Sequence, residues 1–254
     1  MHVTRRRFSA IAGGAFASCA FGDACAVESE PSPANDGRLS ARPRAGVTTS
    51  ARTERALGLE RKRDAILQLP TKTTSEAYPL FVMLHGAGGS GEGVLRRVAA
   101  AADEAGVAVL APDSRDSTWD AIRDGFGRDV AFVDRALARV FETVSVDPAR
   151  IAVGGFSDGA TYALALGLIN GDLFRRVVGF SPGFVIEGTP HGKPRFFISH
   201  GTADQILPID RCSRLIVPQL QRRGYDVTFK EFDGGHQVPA DVAAEAMRWL
   251  AKRD

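Results

Sequence analysis

Three turns in this chain carry residues able to do chemistry together. The first, Gly155-Phe156-Ser157-Asp158-Gly159, follows the apolar run at 151–154 and leads into a helical stretch at 160–169. A strand that turns this sharply into a helix leaves no room for side chains two positions either side of the serine. Glycine at 155 and 159 therefore fits a nucleophile elbow, which holds a serine hydroxyl clear of the backbone. A serine hydroxyl is a weak nucleophile that needs a base, and the base needs an orienting carboxylate. Downstream, the apolar run at 195–199 ends in His200-Gly201-Thr202-Ala203-Asp204, and the run at 227–232 ends in Asp233-Gly234-Gly235-His236. Asp204 and His236 thus each follow a late strand, in the order serine, acid, histidine. Asp233 is the rival acid, but it stands only three residues before the histidine, so Asp204 is preferred. His85 and His200 each precede a glycine at a strand end and read as structural, bonding nearby backbone. His200, Asp204 and His236 have the chemistry of metal ligands without a metal-ligand spacing, so no metal is expected.

A second motif competes. Gly86-Ala87-Gly88-Gly89-Ser90-Gly91 matches a dinucleotide fingerprint, follows a strand, precedes a helix, and has Asp113 22 residues after Gly91. His85 at a strand end where an apolar residue should pack, and Pro112 directly before the supposed ribose-binding acid, weaken that reading.

The elements that must position these turns alternate in type. Apolar runs at 64–69, 80–84, 107–111, 151–155, 177–181, 195–199 and 227–232 read as strands, several apolar throughout as in a parallel sheet covered on both faces. Val130, Val133, Leu137, Val140, Phe141 and Val144 recur at helical spacing, and Asp147-Pro148 is expected to end that helix. Val242, Ala246, Trp249 and Leu250 predict a last helix at 240–252. Cys212 reads as a small buried residue on a helix after Asp210. The fold class expected is α/β, a mostly parallel sheet with helices on both faces and no large cap.

Composition sets the outer bounds. The 254 residues are 44% hydrophobic and 24% charged, with 32 basic against 30 acidic side chains. That excludes a polytopic membrane protein and a wholly disordered one, and gives no polyelectrolyte signal for nucleic acid. Cysteines at 19, 25 and 212 supply no disulfide framework. Residues 1–26 read as an export signal: Arg5, Arg6 and Phe8 resemble the twin-arginine pattern, ahead of a short apolar stretch at 9–21. Export machinery is thus an expected partner, and the periplasm or the cell exterior the expected location. Cleavage after Ala24-Cys25-Ala26 would start the mature chain at Val27, whereas Ala17-Ser18-Cys19 resembles a lipoprotein box and would put a lipid anchor on Cys19. Residues 27–56, rich in Pro, Ser, Thr and Arg with few large apolar side chains, predict a disordered linker. The catalytic domain is expected over 57–254.

With Leu84-His85-Gly86-Ala87-Gly88, the elbow, the Asp204 turn and Gly234-Gly235-His236 together, the chain from about 79 to 250 resembles the α/β-hydrolase superfamily. More narrowly it is similar to the small carboxylesterase/phospholipase group, with acyl-protein thioesterases and dienelactone-hydrolase-like enzymes. The resemblance implies a Ser157, Asp204, His236 triad and no cofactor. It implies an oxyanion hole of the backbone N–H groups of Ala87 and Asp158, and hydrolysis of a small-molecule ester. Acyl-protein thioesterases usually carry Gln where this chain has Asp158. Trp119 and Phe184 are expected as apolar walls of the substrate pocket, in an open cleft that suits short acyl chains. The alternatives are a peptidase or polyester depolymerase on the same fold, an NAD(P)-binding oxidoreductase using the glycine run, and a non-catalytic envelope binding protein.

Overall fold

Tyr78–Leu84 (β3) is buried at all seven positions, and its alternate side chains enter two different cores. Leu80, Val82 and Leu84 point to one face of the sheet, Phe81 and Met83 to the other. Two-sided burial of a strand that lacks polar alternation is what a central parallel strand requires. The protein, described here by a computed structural model, is resolved in description over residues 36–50, 54–72 and 76–253. The export segment expected at 1–26, with its processing sites, lies outside the described residues.

Around β3 the sheet adds Glu54–Ala56 (β1), Ala65–Gln68 (β2), Ala108–Pro112 (β4), Val146–Phe156 (β5), Arg176–Phe180 (β6), Arg195–Gly201 (β7) and Val227–Phe232 (β8). The strand order is β1-β2-β4-β3-β5-β6-β7-β8. β1 and β2 run antiparallel at one edge, and every pair from β4 to β8 is parallel. Each expected strand is present, the one at 227–232 with the expected bounds and the others with at least one end displaced. β1 was not expected; it is short and carries no apolar run.

Among the described residues five α-helices cover the sheet: Gly91–Ala105 (α1), Arg128–Thr143 (α2), Asp158–Ile169 (α3), Ser213–Arg222 (α4) and Ala240–Ala251 (α5). α1 and α5 bury Val94, Leu95, Val98, Val242, Ala246 and Leu250 against one face. The apolar stripe of α2, with most of α3 and α4, packs on the other. α2 ends at Thr143, and β5 has begun by Val146, before the Asp147-Pro148 pair expected to stop the helix. α3 is apolar nearly all round because it sits buried behind the elbow.

Residues 36–50, expected as part of a disordered linker, lie instead along the domain. Leu39 is 2% exposed, and its N–H donates to Asn170 Oδ1 at 2.8 Å. Ser40 and Ala41 N–H both reach Asp134 Oδ1 at 2.8 Å, and Arg38 and Arg42 bracket Asp172 at 2.8 and 2.6 Å. Side-chain acceptors on α2 and near the end of α3 hold this segment. A count of its own apolar residues misses them, since the partners are nearly a hundred residues or more away. Among the described residues no helix is long and apolar enough to cross a membrane.

Candidate active site

β5 ends at Phe156, α3 begins at Asp158, and Ser157 makes the turn between them alone, at φ 58° and ψ −123°. A non-glycine residue in the left-handed region costs energy and is retained where the surroundings over-determine it. Here Ser157 N–H donates to Phe180 O at 3.0 Å, tying the turn to the end of β6. The flanking glycines are sterically necessary. A Cβ on Gly155 would lie 2.3 Å from the Gly159 carbonyl carbon, and one on Gly159 would lie 2.3 Å from Leu84 O. The elbow is therefore tight against the end of β3, where the glycine run begins.

At the same carboxyl edge, the turns after β7 and β8 bring Asp204 and His236 together. His236 Nδ1 is 2.6 Å from Asp204 Oδ2. The Asp204 side chain is fully buried and His236 is 14% exposed. Asp204 Oδ1 accepts the N–H groups of Ile206 and Leu207 at 2.9 and 2.8 Å. Burial pushes the Asp204 pKa up, but the Leu207 N–H, His236 and the Ile206 N–H outweigh it, and the carboxyl lies below its ordinary value. The His236 ring is tilted against Phe156, centroids 4.6 Å apart, which sets it beside the elbow. Among the described residues no hydrogen bond joins the Ser157 hydroxyl to His236. Such bonds are often long before substrate binds. Asp233, the rival acid, is exposed and makes no bond to His236.

The glycine run turns over the serine. A Cβ on Gly86 would come within 3.1 Å of Ser157 Cβ. Gly88 N–H is engaged by Ser117 O at 2.6 Å and Gly89 N–H by Gly86 O at 3.0 Å, whereas Ala87 N–H has no partner among the described residues. Asp158 N–H, at the first position of α3, is likewise without one.

Both structural histidines are explained by their bonds. His85 is buried; its Nε2 accepts Ser114 N–H at 3.0 Å, so its Nδ1 proton goes to Gly86 O at 2.8 Å, and burial lowers its pKa. His200 lies between Ser213 Oγ and Leu207 O, each at 2.7 Å, with Nε2 3.3 Å from Asp204 Oδ2; burial lowers its pKa too. It supports the turn that carries Asp204. Cys212 is a buried free thiol whose pKa burial raises.

Trp119 does not form an open pocket wall. It is 0% exposed, stacks on Tyr162 at 5.2 Å, and its Nε1 donates to His85 O at 2.8 Å. An indole with a buried backbone acceptor within reach satisfies its N–H there, leaving no face for a ligand. Its neighbour Thr118, which sequence reasoning passed over, donates from Oγ1 to Asp158 Oδ2 at 2.6 Å. Phe184 is 50% exposed, as a wall requires, and follows Gly183, whose N–H bonds Thr161 Oγ1 in the first turn of α3. Ile206, two residues from Asp204, is 69% exposed and adds a second apolar side chain at this edge.

A mostly parallel sheet with a serine elbow after β5 and an acid–histidine pair after β7 and β8 defines the α/β-hydrolase class. Comparison with known proteins agrees. Residues 110–253 match the family model described as phospholipase/carboxylesterase. The putative esterase NocK of Nocardia uniformis subsp. tsuyamanensis is 30% identical over 231 residues, 83% of this chain and 67% of that protein. Acyl-protein thioesterase 1 of Aspergillus fumigatus is 30% identical over 118 residues, 42% of this chain and 48% of that protein. Among solved structures, the fluorophosphonate-binding serine hydrolase FphF of Staphylococcus aureus superposes with a TM-score of 0.63 at 17% identity, covering 75% of this chain and 93% of that one. The chain belongs to the phospholipase/carboxylesterase family and is a hydrolase of the carboxylesterase type.

Proposed function

We propose that this protein is a serine esterase that hydrolyses short-chain carboxylic esters through an acyl-enzyme. The observation that carries the reading is the 2.6 Å bond between His236 and buried Asp204, set beside a serine held at positive φ. With Nδ1–H donated to Asp204, His236 Nε2 is free to act as base. Ser157 Oγ gives its proton to Nε2 and bonds to the ester carbonyl carbon. The carbonyl electron pair moves to oxygen, where the unpaired N–H groups of Ala87 and Asp158 stabilise it, each worth ~3 kcal/mol. Collapse expels the alcohol, which takes the proton from Nε2. Water then repeats the sequence, releasing the carboxylic acid and restoring Ser157. Similarity to esterases and thioesterases supports an ester as substrate.

We also propose that the protein is exported, on the support of Arg5, Arg6 and Phe8 ahead of a short apolar stretch.

The test is hydrolysis of p-nitrophenyl acetate by the purified protein. We expect turnover that falls by about 10³-fold or more in Ser157→Ala. Turnover that persists in that variant rejects Ser157 as nucleophile.

A further inference from the structure

A cavity of about 450 Å³ lies between the turn before β2, the loop after β4 and α2. Its wall holds Lys62, Arg63, Arg115, Arg128 and Arg135 against a single carboxylate, Glu60. The whole chain carries 32 basic and 30 acidic side chains, so this is a local concentration of charge and not a reflection of composition.

Compensation is scarce at the wall. Glu60 Oε1 is taken by Arg135 at 2.5 Å and stands 3.9 Å from Arg115, beyond hydrogen-bond reach. Lys62 and Arg128 form no ion pair among the described residues, although Arg128 also borders a neighbouring hollow that holds Asp116, Asp120, Asp124 and Asp129. Asp129 stands behind Arg115, 4.0 Å from its Nε, but its oxygens are occupied by the N–H groups of Arg115 and Asp120. Burial raises its pKa to about 6, which weakens it as a counter-charge below neutral pH.

Two of the cations are also held rigidly. Arg63 sits at φ 53°, with Nη2 on Ser114 Oγ at 2.9 Å and Nε on Ser114 O. The Arg115 guanidinium carbon sits over the Phe132 ring, 3.5 Å from its centroid, and its Nη2 bonds Arg63 O and Asp113 O. Each arginine braces the segment that carries the other. Arg135 also lies over the Phe132 ring, at 5.6 Å, and the ring is buried, so little of it is left to receive an apolar ligand. Nη1 of Arg63 and of Arg115 and the Arg128 side chain keep N–H groups for a ligand, and such donors around a concave surface match the oxygens of a phosphate group.

We propose that this cavity binds a small, soluble, multiply charged anion bearing phosphate, at a site separate from Ser157. The proposal does not rest on the esterase reading. The probe is inorganic pyrophosphate, titrated calorimetrically into the full chain. Saturable binding to one site is expected, at least fivefold weaker in Arg128→Gln and in Arg135→Gln. Both side chains are exposed, so the variants should fold, which an unchanged melting temperature without ligand verifies. Arg214→Gln, which removes an exposed arginine paired with Glu231 and Asp210 elsewhere, controls for net charge and should bind like the parent. Ester turnover should stay at the parental value in all three variants. An absence of saturable binding in the millimolar range overturns the proposal, as does an equal loss in Arg214→Gln. Sedimentation with phosphatidylglycerol vesicles, without binding of pyrophosphate, would assign the patch to a membrane surface and overturn it equally.

Discussion

At Asp204 two opposing effects act on one carboxyl. Burial disfavours its charge, while two backbone N–H groups and the His236 ring favour it, and the second set wins. The sign for stability follows. With its pKa depressed in the folded protein, the carboxylate stabilises fully above the ordinary value of ~3.9, and that contribution is lost as pH falls through the lower folded value. Asp204→Asn keeps an oxygen for Ile206 and Leu207 but presents an N–H to His236 Nδ1. The imidazole must then carry its proton on Nε2, where it cannot serve as base. We expect ester turnover to fall ~10³–10⁴-fold in this variant at pH 7. Its deficit in denaturant stability should be constant from pH 6 to 8 and shrink below about pH 4. Full activity in Asp204→Asn, with loss in Asp233→Asn, would move the acid to Asp233. The pair itself is legible from order and topology, since each residue follows a late strand. The structure sets buried Asp204, and not exposed Asp233, against His236, a difference in burial that a sequence does not print.

The loop between β4 and α2 is the element that joins the two turns carrying the proposed oxyanion donors, Ala87 and Asp158. Three consecutive residues reach across: Ser117 O accepts Gly88 N–H at 2.6 Å, Thr118 Oγ1 donates to Asp158 at 2.6 Å, and Trp119 Nε1 donates to His85 O at 2.8 Å. One side of this clamp holds the turn bearing Ala87, and the other holds the residue after Ser157. The spacing of the two N–H donors therefore depends on the loop, although no loop side chain need touch substrate. Loosening such a clamp should weaken transition-state binding more than ground-state binding. Thr118→Val should lower kcat about tenfold and change KM less than twofold, while Thr118→Ser restores the parental rate. A shift confined to melting temperature, with kcat unchanged, would make Thr118 structural only. Sequence alone puts Trp119 on the active edge without giving its direction. Its indole N–H is a signal for inward burial, because a hidden donor seeks an acceptor, and His85 O provides one.

For the molecule as a whole, the chain order of strands and helices is readable because central parallel strands are unbroken apolar runs such as 80–84. The segment at 36–50 is not readable in that way. It joins the domain through Asn170, Asp134 and Asp172, and hydrogen bonds to distant side chains leave no periodicity in the segment itself. A third feature depends on what the sheet lacks above its active edge. Between β6 and β7, residues 181–194 contain no helix, and Pro182, Pro190 and Pro194 interrupt the stretch. Nothing in it covers Ser157 as a helical lid would, and Phe184 and Ile206 stand half or more exposed at the rim. A cleft open on this scale can desolvate only the first carbons of an acyl chain. In a closed apolar tunnel each further CH₂ would add ~0.8 kcal/mol, roughly fourfold in kcat/KM. Here that gain should stop after about four carbons, and kcat/KM for p-nitrophenyl esters should peak between acetate and butyrate. With no lid to displace, the rate should show no jump when the substrate crosses its micelle threshold. A kcat/KM that keeps rising from hexanoate to decanoate would require a buried acyl channel that the open edge does not provide, and activity appearing only above the micelle threshold would require a moving cover.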